Sequence, residues 1–167
     1  MIFRHIKRFT LFTLVIFCVG CYSFRGINIP PGINTFYIPQ VGLDDFQAPP
    51  DLPEKFMEAL RAKVRNQSPL LWEDENPDVQ FDCSVKSFRV NNRGATAANQ
   101  VAFNELVISV KVDYVNNVDE SDTWSKNFSF NVPFDPATDL QTVQNDFIDE
   151  IFEQISEQVF NEAFTNW

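Results

Sequence analysis

Residues 139–164 read DLQTVQNDFIDEIFEQISEQVFNEAF, and their apolar side chains recur at spacings of three and four. This period is typical of a helix that buries one face. Acidic residues fill the positions between, and no Lys or Arg occurs after Lys126. We therefore expect a long amphipathic helix with an acidic outer face, whose apolar stripe is formed by Leu140, Val143, Phe147, Ile151, Phe152, Ile155, Val159, Phe160, Ala163 and Phe164.

Three stretches before this helix alternate apolar and polar residues with a period of two, which is typical of strands with one buried and one wet face. In the first stretch the apolar positions change parity after Val85, which predicts a β-bulge near Lys86 or Ser87. Polar, turn-rich connections separate the stretches, so we expect an antiparallel meander. The three predicted strands cover approximately Val79–Val90, Glu105–Tyr114 and Trp124–Phe134.

A further strand and helix are predicted nearer the N-terminus. Prolines bracket the strand Thr35–Ile38, which suits the edge or the start of a sheet. Asp51-Leu52-Pro53-Glu54 resembles a capping box at the start of a helix that ends within Asn66–Pro69. The apolar stripe of this helix is formed by Leu52, Phe56, Ala59, Leu60 and Val64.

The element order β-α-β-β-β-α predicts the fold class. Two amphipathic helices and one apolar sheet face are buried most simply when both helices pack on that face. The first strand can pair in parallel with a later strand, whereas the meander is antiparallel. We therefore expect an α/β two-layer sandwich with a four-stranded mixed sheet and both helices on one face.

The N-terminus resembles a bacterial lipoprotein signal. Residues 1–8 contain Arg4, Lys7 and Arg8 and no acidic residue. The apolar run that follows, from Phe9 to Val19, is too short to cross a bilayer. The Gly20–Cys21 junction resembles the bacterial lipobox, in which the cysteine thiol is linked by a thioether to diacylglycerol that carries fatty acyl chains such as palmitate. We predict a signal peptide at 1–20, an extended tether at 21–33 and a single domain at 34–167; the alternative is a plain secreted protein in which Cys21 is incidental.

Composition narrows the class of partner. The chain carries 13 Lys and Arg against 23 Asp and Glu, and loss of residues 1–20 would change its net charge from −10 to −13. Such a field disfavours nucleic acid, and membrane attachment would depend on the acyl chains. Cys18 would be removed with the signal peptide and Cys21 would be acylated, which would leave Cys83 without a disulfide partner. We therefore expect Cys83 to be buried and to pack like a small apolar side chain.

The residues offer little for catalysis, metal binding or cofactor binding. His5, the one histidine, lies in the predicted signal peptide. The acidic group of Asp149, Glu150, Glu153 and Glu157 could be imagined as a calcium or acid/base cluster, but its helical spacing favours a solvated face or a partner contact. The tryptophans are interpreted as core residues in preference to partner anchors; they are Trp72, Trp124 and Trp167.

Three segments resemble the LptE-like lipoproteins of lipopolysaccharide transport, in the form found in Bacteroidetes-type bacteria. Cys21–Pro39, which reads CYSFRGINIPPGINTFYIP, resembles their opening. NELVISVKVDYVN from Asn104 resembles their central strand, and IFEQISEQVFNEAFTNW resembles their terminal helix. The resemblance implies a non-enzymatic lipoprotein on the periplasmic face of the outer membrane that plugs or supports the β-barrel LptD.

Lipopolysaccharide itself is a second partner that the resemblance implies, although no basic lipopolysaccharide-binding motif of the relatives aligns with this chain. No acidic residue occurs in Tyr22–Arg25, directly after the predicted lipidation site, which favours retention at the periplasmic face. Two alternatives stay open: a generic periplasmic binding or secretion-accessory lipoprotein, and an enzyme that uses carboxylates alone.

Overall fold

The computed structural model describes residues 27–94 and 102–165. These residues form six strands and two long helices in the predicted order, with two short strands added. The elements are β1 Thr35–Tyr37, β2 Gly42–Leu43, α1 Leu52–Gln67, β3 Leu71–Trp72, β4 Val79–Arg93, β5 Phe103–Asn116, a 3-10 turn Glu120–Asp122, β6 Trp124–Phe134 and α2 Leu140–Phe164.

All six strands form one mixed sheet, which confirms the predicted fold class. Its strand order is β3-β1-β4-β5-β6, and β2 lies beside β4. β1 runs parallel to both β3 and β4, whereas β4, β5 and β6 are antiparallel. The predicted count of four strands was too low because β2 and β3 contain two residues each, which is too few to show an alternating pattern.

The β4–β5 register shifts between Val85 and Ser87, so the predicted bulge is confirmed. The bulge returns the apolar positions of β4 to the core face, where Phe88 lies opposite Ile108. Without it, Phe88 and Val90 would point to the opposite face, because side chains alternate along a strand.

Both helices pack on the same face of the sheet, as predicted. The Phe56 ring of α1 meets the Phe152 ring of α2 edge-on at 5.2 Å between centroids. The Phe164 ring of α2 packs against the rings of Phe81 and Tyr114, with centroid distances of 6.2 and 6.4 Å. These contacts join the end of α2 to β4 and β5. These rings belong to one apolar core that spans the sheet and both helices.

The capping box predicted at Asp51 was wrong, although Asp51 is the N-cap residue of α1. Its side chain makes no capping hydrogen bond, and its backbone is already helical, with φ −87° and ψ −8°. A turn precedes the helix, in which the Leu52 N–H donates to the Pro49 carbonyl at 3.3 Å. In α2 the Asp139 side chain does accept a hydrogen bond, from the Gln141 N–H.

Residues 27–33, within the predicted tether, lie against the domain. Ile33 is buried, Ile27 and Ile29 pack against the core, and the Asn28 N–H donates to the Phe164 carbonyl at 2.8 Å. The predicted cleavage and lipidation residues, Gly20 and Cys21, lie outside the described residues.

Asp78 connects the start of β1 to the start of β4. Its carboxylate accepts hydrogen bonds from the backbone N–H groups of Asn34 at 2.7 Å and Thr35 at 3.0 Å. The Thr35 hydroxyl in turn accepts from the Asp78 N–H at 2.9 Å. The hydrogen bond from Asn34 is the largest influence that lowers the pKa of Asp78, and it outweighs the opposing effect of burial.

Asp78→Asn should make stability less dependent on pH in the acid range. A carboxyl whose pKa is lowered by folding stabilises the folded state above its unfolded pKa of about 3.9, and this contribution disappears as the pH falls through the folded pKa. We expect the variant to lose about 1 kcal/mol at neutral pH, since Asp78 is only partly buried, and to approach the wild type as the pH falls through the lowered pKa of Asp78 in the folded state. Urea unfolding between pH 2.5 and 7 measures this, with the exposed Asp74→Asn as the control. A stability difference that stayed constant over this range would contradict the assignment.

Candidate partner-binding surfaces

The described part of the chain was searched for metal-binding clusters and membrane-spanning helices. Within residues 27–94 and 102–165, no group of three or more His, Cys, Asp or Glu side chains is placed to hold a metal ion. Of the helices in these ranges, none is both long enough and apolar enough to cross a bilayer.

Cys83, predicted to be buried, is buried on the core side of β4. Burial raises the pKa of its thiol far above the usual range, and the nearby carboxylates of Asp82 and Asp113 add to this effect. Its Sγ donates weakly to the Phe81 carbonyl at 3.5 Å. A neutral, enclosed thiol is a poor nucleophile, so Cys83 serves as packing.

Iodoacetamide at pH 8 should leave Cys83 unmodified in the folded protein and alkylate it after unfolding in guanidinium chloride. The reason is that only the thiolate reacts, and burial suppresses the thiolate here. Peptide mapping by mass spectrometry measures the modified fraction. Asn127→Cys, which places a thiol on an exposed strand position, is the control and should react without denaturant. Alkylation of Cys83 at the same rate as that control would show that the thiol is accessible.

The acidic group on α2 is divided between the helix interface and solvent. Asp149 pairs with Lys55 of α1 at 3.3 Å, and Glu157 pairs with Lys63 at 2.6 Å. The hydrogen bond from Lys63 lowers the pKa of Glu157. Glu150 and Glu153 are exposed. The interpretation of all four as a solvated or partner-facing surface was incomplete, because two of them join the helices.

The sheet has one face that no described helix covers. Both helices lie on the core side, so the other side carries the polar residues that alternate with the core positions. We call this the open sheet face. Its small polar residues are Ser84, Ser87, Ser109, Ser125, Asn127, Ser129 and Asn131, and its charged residues are Asp82, Arg89, Arg93, Glu105, Lys111 and Asp113.

Most charges on the open sheet face are matched locally. Lys111 pairs with Asp113 at 2.8 Å, and its hydrogen bond lowers the pKa of Asp113. Arg93 pairs with Glu105 at 2.7 Å, and hydrogen bonds from Arg93 and Asn91 lower the pKa of Glu105. The face therefore presents hydroxyl and amide groups together with paired charges, a pattern suited to a polar, hydrogen-bonding partner.

Two of the three tryptophans lie in the described residues, and both pack against the core. The Trp72 and Phe36 rings pack edge to face, with their centroids 5.5 Å apart. The Arg61 guanidinium lies over the Trp72 ring, 4.1 Å from its centroid. Trp124 stacks on Tyr114 at 5.3 Å. Trp167 lies outside the described residues.

The sequence pattern did not indicate the most exposed aromatic residue. The Phe46 side chain is 96% exposed in the connection between β2 and α1. This connection is held by Asp45, whose carboxylate accepts from the N–H groups of Gln47 and Phe88 at 3.1 and 3.0 Å. An aromatic residue in a loop has no periodic signature, so only the structure shows its exposure.

Solved structures resemble the fold at low sequence identity. A hypothetical protein from Chlamydia trachomatis matches with a TM-score of 0.54 and 10% identity over 81% of this chain and 100% of that one. A minor lipoprotein from Acinetobacter baumannii matches with a TM-score of 0.51 and 7% identity over 77% of this chain and 91% of that one. These similarities concern the fold alone.

Sequence comparison identifies the family. No curated protein matches the chain in sequence. The model of the family LptE, described as lipopolysaccharide-assembly, matches residues 33–163, which include every strand and nearly all of α2. The chain therefore belongs to the LptE family of lipopolysaccharide-assembly proteins.

Proposed function

We propose that this chain is a lipid-anchored outer-membrane protein that plugs or supports an LptD-type β-barrel and so assists lipopolysaccharide assembly at the cell surface. Membership of the LptE family supports the assembly role. The observation that carries the plug role is the open sheet face, a polar surface backed by a rigid core and left uncovered by both helices.

The lumen of a wide transmembrane barrel is polar, because lipid-facing and lumen-facing residues alternate along each strand. A compact domain can fill such a lumen if groups on its surface form hydrogen bonds directly with the polar barrel wall, in place of water. Asn127, Ser129 and Asn131 are exposed at alternate positions of β6 and provide such groups. This task requires shape and polarity, and no reactive side chain takes part in it.

The anchor proposal places one end of the domain near the membrane. Cys21, acylated after removal of residues 1–20, is six residues from Ile27 and can be at most about 20 Å from it. Ile27 and Ile29 lie beside the last residues of α1 and, through Asn28, beside the end of α2. β4 alone is about 45 Å long, so its hairpin end lies far from the anchored end of the domain.

Affinity purification from outer membranes tests the proposal. The wild-type chain should retrieve a large outer-membrane β-barrel protein in nearly equal amount. Asn127→Arg adds a bulky charge to the open sheet face and should greatly reduce that recovery, because an unpaired charge at a tightly packed contact is costly. Gln154→Arg places the same side chain on an exposed position of α2 and serves as the control.

The outcomes separate the parts of the proposal. Retention of the barrel by both variants would show that the open sheet face is not the contact. Absence of a barrel from the wild-type sample would remove the proposed partner and favour the generic periplasmic binding lipoprotein. That alternative has one structural feature in its favour, a surface cavity of about 500 Å³ lined by Ile27, Ile29 and residues 66–69.

A further inference from the structure

Among residues 27–94 and 102–165, no strand pairs with the outer edge of β6. In the strand order β6 is the last strand, and no described element pairs with its far side. Natural proteins protect long sheet edges with charges, prolines, bulges or covering elements, because open edges recruit other strands. On β6 the protecting residues are confined to the ends, where Lys126 and Pro133 lie, and the segment 127–132 contains neither charge nor proline.

The register shows which residues present their backbone to this edge. Proline has no N–H, so Pro133 fits an antiparallel sheet where its nitrogen points away from the neighbouring strand. Backbone groups alternate in direction along a strand, and Asn131, Ser129 and Asn127 therefore also direct their N–H and C=O groups outward. The Ser129 hydroxyl instead points back and donates to the Ile108 carbonyl at 3.1 Å.

The middle of this edge is complementary to itself. Residues 127–131 read NFSFN, which is the same in both directions. When two antiparallel copies meet about a two-fold axis at Ser129, Asn127 lies opposite Asn131, Phe128 opposite Phe130, and Ser129 opposite its own copy. Each pairing is favourable, since asparagine amides hydrogen-bond to each other and phenylalanines form stabilising cross-strand pairs.

We propose that, when it is not bound to a barrel, this chain pairs β6 with β6 of a second copy, which joins the two sheets into one continuous sheet. The interface is isologous, so one self-complementary patch serves both subunits. Lys126 is the only charged residue of β6, and it is already paired with Glu162 of its own chain. The strongly acidic chains can therefore meet along an edge that contributes no further like-charge contact.

Cysteine cross-linking tests the pairing with single-residue precision. Residues directly opposite each other in a hydrogen-bonded antiparallel pair have Cα atoms about 5.5 Å apart, which is within the range of a disulfide. Ser129→Cys in the full chain, produced in large excess over the barrel protein, should therefore form a disulfide-linked dimer when membranes are treated with diamide, and most of the protein should run at twice its mass on a non-reducing gel.

Ser125→Cys is the matched control. It lies on the same face of the same strand, but in the proposed register it faces Pro133 of the other copy. The two introduced cysteines would be about 27 Å apart, so the control should remain monomeric on the gel. Any cross-linking through the remaining native cysteines would appear equally in the two variants.

A second pair of variants checks the register. Asn127→Cys alone and Asn131→Cys alone should not cross-link, since each faces the other residue, whereas the double variant should cross-link as strongly as Ser129→Cys. Equal cross-linking of Ser129→Cys and Ser125→Cys, or none in either, would overturn the proposal. Cross-linking of Ser129→Cys to a protein of another mass would also overturn it and would show that the edge receives a different partner's strand.

Discussion

Ile151→Asp should destabilise the domain by about 4 kcal/mol, which is a large share of the 5–15 kcal/mol that typically separates folded from unfolded domains. Ile151 is fully buried in the middle of α2 and belongs to the apolar core. The variant loses the burial of an apolar side chain and must either bury a carboxyl group or open the helix layer. Urea unfolding followed by circular dichroism measures the loss.

Gln154→Asp is the matched control for Ile151→Asp. It introduces the same carboxylate into the same helix three residues later, at an exposed position, and should change stability by less than about 0.5 kcal/mol. If both variants lost similar stability, the effect would come from added negative charge on an acidic helix. The burial of α2 would then not be the main contribution to stability at this site.

Cys21→Ser should release the protein from the membrane. If Cys21 carries the acyl chains, the substitution removes the thiol to which they are attached, and each buried methylene of those chains contributes about 0.8 kcal/mol to anchoring. We expect nearly all of the variant in the soluble periplasmic fraction and an N-terminal peptide without lipid by mass spectrometry. The circular dichroism spectrum should be unchanged, because the packed domain begins at about Ile27.

Cys18→Ser is the control for the anchor. It removes a thiol three residues earlier, within the predicted signal peptide, and should leave acylation and fractionation as in the wild type. A Cys21→Ser protein that stayed in the membrane would contradict the lipid anchor, and one that lost its folded structure would contradict the separation of anchor and domain.

The sequence predicted the parts of the fold that are long and periodic. α2 and the meander show their buried faces directly, and the parity change after Val85 located the bulge to within one residue. The resemblance to LptE-like lipoproteins is confirmed at the level of the family. These successes share a cause, because a repeated pattern over ten or more residues outweighs local exceptions.

The remaining features depend on contacts between distant residues. β2 and β3 are too short to have a period, and their existence depends on the neighbouring edges of β4 and β1. The ion pairs from α2 to Lys55 and Lys63 depend on how the two helices lie side by side. The open sheet face follows from the alternation and from the predicted placement of both helices on one face, but its ion pair between Arg93 and Glu105 joins two strands and depends on their register.

The parallel pairing of β1 with β4 also determines how the domain would respond to tension. β1 enters the sheet beside the first residues of β4, with Phe36 opposite Val79. A pull on Ile27 with the far end of β4 held would therefore act along the strands, and hydrogen bonds that run across them would have to shear together. Force between a membrane anchor and a bound partner would meet the mechanically stiff direction of the molecule, whereas a sideways pull could peel the same strand away one bond at a time.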